Sequence, residues 1–245
     1  MLILVAHGTR STAGVQLVHD LSAAVARRIG PLRTAFVDVL RPGPAEVLAQ
    51  STEPAIVVPA FLASGYHVHA DLPARIAESG HGDVSVRPAL GPDPALGFVM
   101  HDRLRDAGWR PGDAVVMAAA GSLDPCARND VEVAAELLAQ HVGQKVHGGY
   151  IATGTPRVGD VVTRVRAAGR RVFIASYLLA PGLFHDRLAD CGATAVAAPL
   201  GLHPGVVDLI ANRFLAPKLH STRESARRHH AGGNLGASER VAHVA

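Results

Sequence analysis

The sequence predicts a duplicated α/β protein: two similar tandem lobes, each a parallel sheet covered by helices. Three observations lead there. Short apolar runs bounded by Gly and Pro alternate with segments of helical periodicity, the pattern of strands buried on both faces and joined by crossover helices. The same order of elements then begins again in the second half of the chain. Finally, Phe61-Leu62-Ala63-Ser64-Gly65-Tyr66-His67 is echoed by Leu178-Leu179-Ala180-Pro181-Gly182-Leu183-Phe184, and Ala89-Leu90-Gly91-Pro92-Asp93-Pro94 by Pro199-Leu200-Gly201-Leu202-His203-Pro204.

Strands are expected at 2–6, 34–40, 55–61 and 84–88, each with the length and β-branched content of a buried strand. Between them, 14–29 spaces Val15, Val18, Leu21, Val25 and Ile29 at helical intervals, and 45–50, 72–78 and 94–107 are further helices. In the second half the strands fall at 114–118, 146–152, 171–178 and 194–199, and the helices at 131–140, 158–168 and 204–214. A repeat of this length is a duplicated domain, not a solenoid. The expected division is a first lobe at 1–110, a second at 111–217, and a polar tail at 218–245, with the linker in the Gly- and Pro-bearing turn at 108–112. The tail has no sustained apolar period, so it reads as disordered, and its His220, His229, His230 and His243 read as solvated.

Composition narrows the function. The chain has 245 residues, 48% hydrophobic and 18% charged, enough for a sizeable core built from Ala, Val and Leu. Its net charge of +3 is matched by the tail alone, where five basic residues (Lys218, Arg223, Arg227, Arg228, Arg240) face two acidic ones (Glu224, Glu239). The body is therefore near neutral and lacks the basic stripe with interleaved aromatics of a nucleic-acid binder, so nucleic acid is discounted. No apolar run approaches the roughly 20 residues of a membrane-spanning helix, and Met1 to Val5 runs straight into a strand without a secretory signal pattern. A cytoplasmic protein is expected. Cys126 and Cys191 are read as ordinary thiols of a reducing compartment.

Duplicated halves provide an internal control, because scaffold residues persist in both copies while chemistry can be confined to one. His7, after the first strand, corresponds to Ala120; Asp38, at the end of the second, to Ala152 when Pro42 is set against Pro156; His67, after the third, to Phe184. Three polar positions are apolar together in the second copy. A lone histidine after a strand is ordinarily a hydrogen-bonded rim residue. These three, however, all lie at the carboxyl ends of parallel strands, the edge where ligands of such sheets bind. Two imidazoles and a carboxylate there suit a metal and proton-transfer site. His69 shares the face of His67 if that loop is extended, and is otherwise a solvated loop residue; His185 is one place out of register with His67. Gly8-Thr9-Arg10 is either an anion-positioning loop or a plain turn.

Three motifs carry a resemblance to a known family: Ala6-His7-Gly8-Thr9-Arg10, the Phe36-Val37-Asp38 strand end leading to Pro42, and, most specific, the run from Pro59 through His67 and His69 to Pro73. They resemble the single-chain (class II) tetrapyrrole chelatases of the sirohydrochlorin type, over roughly residues 1–217. The resemblance implies a lyase that inserts Fe²⁺ or Co²⁺ into a macrocycle for sirohaem or cobalamin, with the metal as substrate and no organic cofactor. It implies that His7 and His67 hold the metal and that Asp38 stands near the pyrrole nitrogens. The family more often has Glu at that position. Arg10, Tyr66 and His69 are the expected macrocycle contacts, with Leu183 as a further apolar wall and Arg41 as either a second cation for peripheral carboxylates or a solvated loop charge. One site per chain and a monomer are expected. Two other readings stay open: a non-catalytic metal or tetrapyrrole carrier, and a phosphoryl-transfer enzyme built on a His-Gly loop. The latter wants a basic phosphate pocket, whereas His7 follows only apolar residues.

Overall fold

The computed structural model describes residues 1–217, so the expected disordered tail at 218–245 lies outside the described residues. Two four-stranded, all-parallel sheets follow one another along the chain. The first holds β1 (Leu2–Ala6), β2 (Arg33–Phe36), β3 (Ala55–Pro59) and β4 (Val84–Val86) in the order β2-β1-β3-β4. The second holds β5 (Ala114–Gly121), β6 (Val146–Thr153), β7 (Val172–Tyr177) and β8 (Ala195–Val196) in the equivalent order β6-β5-β7-β8.

Strand register makes the repeat explicit. Ala6 pairs with Phe36 as Ala119 pairs with Tyr150, and Val5 with Pro59 as Ala118 with Ser176. The Phe36 N–H donates to the Pro42 carbonyl, and the Tyr150 N–H to the Pro156 carbonyl, both at 2.9 Å. Counting forward, His7 falls on Ala120, Asp38 on Ala152 and His67 on Phe184, the equivalences read from the sequence.

Among the described residues, eight α-helices cover the sheets: α1 (Thr12–Ile29), α2 (Pro44–Leu48), α3 (Leu72–Glu78), α4 (Pro94–Asp106), α5 (Pro125–Val142), α6 (Val158–Arg166), α7 (Leu183–Asp186) and α8 (Pro204–Leu215). On the outer face of the first sheet, Ile3, Val5 and Val57 pack with Val47, Leu48 and Leu72 of α2 and α3. On the outer face of the second, Val116 and Ile174 pack with Val158, Val161 and Val162 of α6. The inner faces share one core, in which Leu4 and Val58 of one sheet are continuous with Met117 and Phe173 of the other.

That shared core contains an exchange. Helix α4 follows the first sheet but packs on β7 and α5 of the second, and α8 follows the second sheet but packs on β3 and α1 of the first. Their apolar stripes are Leu96, Val99, Met100 and Leu104 in α4, and Val206, Ile210 and Phe214 in α8, all buried. Arg213 extends the exchange with polar contacts, pairing with Asp93 at 2.9 Å and donating to the Ala89 carbonyl at 3.2 Å.

Several boundaries differ from the expected ones for identifiable reasons. Strand β2 stops at Phe36 rather than 40, because Val39 takes a left-handed φ of 66° and turns the chain. Helix α5 starts at Pro125, six residues before the expected 131, with the Asp124 carboxylate capping the Cys126 N–H at 2.8 Å. The polar first turn of that helix, with Arg128, Asn129 and Asp130, hides it from an apolar periodicity.

Helices α4 and α5 cross closely, with Gly97 against the Leu137 carbonyl. Near that crossing His101 stacks on His141, ring centroids 6.1 Å apart. Burial first, then the positive charges of His141 and Arg105, hold the His101 pKa below its ordinary 6.5, with Asp102 opposing. The folded protein therefore binds fewer protons at His101 than the unfolded chain does. Full stability at this group is present above the ordinary value and is lost as pH falls from it toward the lowered one. Urea midpoints measured at descending pH are expected to drop below about pH 6.5, and His101→Gln to shallow that drop.

Candidate metal and tetrapyrrole site

The site lies at the carboxyl edge of the first sheet. Three local features place its side chains. His7 directly follows β1 and is exposed. The chain can turn there because Gly8 adopts φ +95°, where a Cβ would sit 2.0 Å from the Asp38 carbonyl oxygen. Its counterpart Gly121, φ +103°, is equally close to Thr153. Asp38 is tied to this turn through its backbone, its N–H donating to the His7 carbonyl at 3.0 Å, and its exposed carboxylate accepts the Val39 N–H at 2.8 Å.

His67 stands on a single π-helical turn, His67–Asp71, that leads into α3. The wider helical step places Asp71 beside it, and the His67 Nδ1–H donates to Asp71 Oδ2 at 3.0 Å, while Arg75 Nε donates to Oδ1 at 3.3 Å. Phe61 lies parallel to the His67 ring at 6.0 Å between centroids, and Tyr66 meets it edge-on at 5.7 Å. His7 completes the setting, 4.6 Å from His67 and nearly perpendicular at 83°. Because His7 Nδ1–H donates to the Gly8 carbonyl at 3.2 Å, both imidazoles direct their hydrogen-bonded Nδ1 to the protein and keep Nε2 free as a lone-pair donor. Two imidazoles in ring contact, without a thiolate, can hold a borderline divalent ion while leaving its other positions open.

The structure thus brings His7 and His67 into ring contact, joins the backbone of Asp38 to that of His7, and sets Tyr66, 66% exposed, beside the pair. Arg10 is exposed on the loop that follows. One expectation is corrected. His69 does not share the face of His67, because the loop is helical rather than extended and turns residue 69 to the other side; it is exposed, and among the described residues no group of three or more His, Cys, Asp or Glu is arranged to hold a metal. Arg41, largely exposed, pairs with Glu46 at 2.5 Å. His185, out of register in the repeat, is spent on the Ala197 carbonyl at 3.2 Å. The residue that sequence reasoning left without a role is Asp71. Its only signal was a spacing of four from His67, which becomes meaningful once the segment is helical.

The CbiX family model matches residues 1–107 and 114–216, one match for each half, and the chain belongs to the CbiX family. A sirohydrochlorin cobaltochelatase of Methanothermobacter thermautotrophicus is 26% identical over 130 residues, covering 43% of this chain and 91% of that protein. Among solved structures, SirB from Bacillus subtilis with Fe³⁺ superimposes with a TM-score of 0.74 at 23% identity, over 94% of this chain and 97% of that one. The sirohydrochlorin chelatase SirB of B. subtilis subspecies spizizenii in complex with cobalt gives 0.71 at 21% identity, over the same shares. At such identities the two structures establish a common fold. Among the described residues no helix is long and apolar enough to cross a membrane.

Proposed function

We propose that this protein is a sirohydrochlorin chelatase, a lyase that inserts Co²⁺ or Fe²⁺ into a tetrapyrrole for cobalamin or sirohaem. The observation that carries the reading is the His7–His67 pair, 4.6 Å apart with both Nε2 atoms free, at the open strand edge of one lobe only. Family membership and the relative's cobaltochelatase activity support it.

Insertion replaces two pyrrole N–H protons by one divalent metal, so two protons must leave as four ring nitrogens displace water and imidazole. His7 and His67 hold the incoming substrate ion through Nε2, weakly enough to release it. Asp71 keeps His67 in the tautomer and orientation this requires. Asp38 receives pyrrole protons; its carboxylate sits on the turn bonded to His7 and opens to solvent, where protons can be passed on. The macrocycle lies along the sheet edge against Tyr66 and against Leu183, its counterpart in the second lobe, both more than 60% exposed. Arg10 meets the peripheral carboxylates. The first lobe, 1–110, carries the chemistry; the second, 111–217, has apolar residues at all three equivalent positions. We assign the reaction to the cytoplasm and to a monomer, since duplication already supplies two sheets per chain.

Catalytic amounts of protein, mixed anaerobically with sirohydrochlorin and Co²⁺ or Fe²⁺, are expected to give many turnovers of metallated product above the spontaneous rate, followed by absorbance. Stoichiometric product and no turnover would instead establish a carrier.

A further inference from the structure

The second lobe has apolar residues at the three site positions, yet it reaches into the site of the first. The segment Leu62–Gly65 connects β3 to the π-helical turn, and the Gly65 carbonyl begins that turn by accepting the Val68 and His69 N–H groups at 2.9 and 3.1 Å. Three contacts from the second lobe hold this segment. Tyr177 of β7 donates its hydroxyl to the Leu62 carbonyl at 2.7 Å. Asp130 of α5 accepts the Ser64 N–H at 2.7 Å through Oδ2. Gly65 lies against α5, where a Cβ would come within 3.3 Å of Ala127.

The repeat shows which of these contacts belong to the scaffold. Packing of the loop glycine on the opposite helix is symmetric, because Gly182 lies equally close to Ser11 at the start of α1, and Pro181 to Gly14. The two hydrogen bonds are not. By strand register Tyr177 corresponds to Ala60, and counting on from His7 and Ala120, Asp130 corresponds to Leu17. The first lobe therefore has no such groups at the positions that would hold the matching loop of the second. Gly91, a glycine in both copies, leaves room for the bond: a Cβ there would stand 2.2 Å from the Tyr177 hydroxyl and 2.3 Å from the Leu62 carbonyl oxygen. Tyr177 is 3% exposed, and its phenol is pushed far up by burial and by Asp130 and Asp93, so it is a permanent O–H donor.

We propose that Tyr177 and Asp130 are positioning residues for metal capture: from the second lobe they fix the loop that sets His67 opposite His7. Nothing in the first lobe replaces them, so the lobe without site residues is part of the working site. This inference rests on the chelatase reading and adds to it a role for the second lobe.

The test is Co²⁺ binding by the full chain without tetrapyrrole, measured by isothermal titration, together with insertion kinetics at varied Co²⁺. Tyr177→Phe and Asp130→Leu are expected to raise Kd and KM for Co²⁺ about tenfold, the scale on which support of a metal ligand is felt, with kcat changed less than about threefold. Asp130→Asn keeps an acceptor for the Ser64 N–H and is expected to stay within about twofold of wild type. Unchanged Kd and KM in both Tyr177→Phe and Asp130→Leu overturn the inference, as does an Asp130→Asn variant as impaired as Asp130→Leu, since charge and not the hydrogen bond would then matter. Should Tyr177→Phe fail to fold, the Asp130 pair decides alone. A wild-type protein that inserts no metal overturns the chelatase reading and this inference with it; insertion by wild type with unaffected variants overturns the inference only.

Discussion

Replacing His67 with alanine is expected to lower Co²⁺ insertion by about 100-fold or more, beyond what loss of an outer partner of a metal ligand costs, while leaving thermal stability nearly unchanged. The ring is a third exposed, so its removal leaves no sealed cavity, and what disappears is one of two nitrogen donors. His7→Ala should behave alike, and the double variant little worse than either single one, because a lone imidazole no longer captures the ion. Asp71→Ala should fall between wild type and His67→Ala, with metal affinity down about 10- to 100-fold, since the imidazole remains but its tautomer and direction are released. Insertion rates across this series, measured at saturating and at limiting Co²⁺, check the ranking; Asp71→Ala indistinguishable from wild type would remove the orienting role.

Alanine at Gly8 carries the second large effect. The residue sits at φ +95°, and a Cβ there meets the Asp38 carbonyl oxygen at 2.0 Å, so the turn must open. A left-handed non-glycine residue costs about 1–3 kcal/mol before any clash, and for a chain of this size each kcal/mol is worth about 2–4 °C in Tm. A Tm lower by about 5–10 °C is expected, together with loss of insertion by the protein that remains folded, because the turn links His7 to Asp38. Gly121→Ala, with the same geometry in the second lobe, should lower Tm by a similar amount and leave the activity per folded molecule near wild type. Calorimetry combined with insertion assays below the transition separates the two; equal loss of activity in both would mean that the turn matters for folding alone.

The meeting of His7 and His67 in the candidate site was legible because the chain contains its own comparison. Parallel strands bring residues after β1 and β3 to one edge whatever lies between them, so His7 and His67 could be expected to meet from strand order, and the apolar Ala120 and Phe184 singled them out. What stayed hidden depends on geometry finer than periodicity. His69 shares the face of His67 in an extended loop and opposes it in a helical one, and the segment from His67 to Pro73 has no feature that announces a π-helical turn. Asp71 gains its role from that same turn. Arg41 looked available because the pairing with Glu46 five residues away requires the capping geometry of α2, in which Glu46 also accepts the Gly43 N–H at 2.7 Å. Tyr177 and Asp130 were the most remote, since their partners lie more than sixty residues away and in the other lobe. The exchange of α4 and α8 was equally invisible: amphipathic stripes state that a helix is covered, without saying by which sheet.

That exchange bears on how the chain has been free to change. A gene split at 108–112 would encode two fragments, each keeping a helix shaped for the missing partner and exposing the sheet face that the partner's helix had covered. Deletion of the second half would therefore uncover the inner face of the first sheet, which α8 covers. The second lobe can carry apolar residues at all three equivalent positions, but the first cannot dispense with the helix it receives from it.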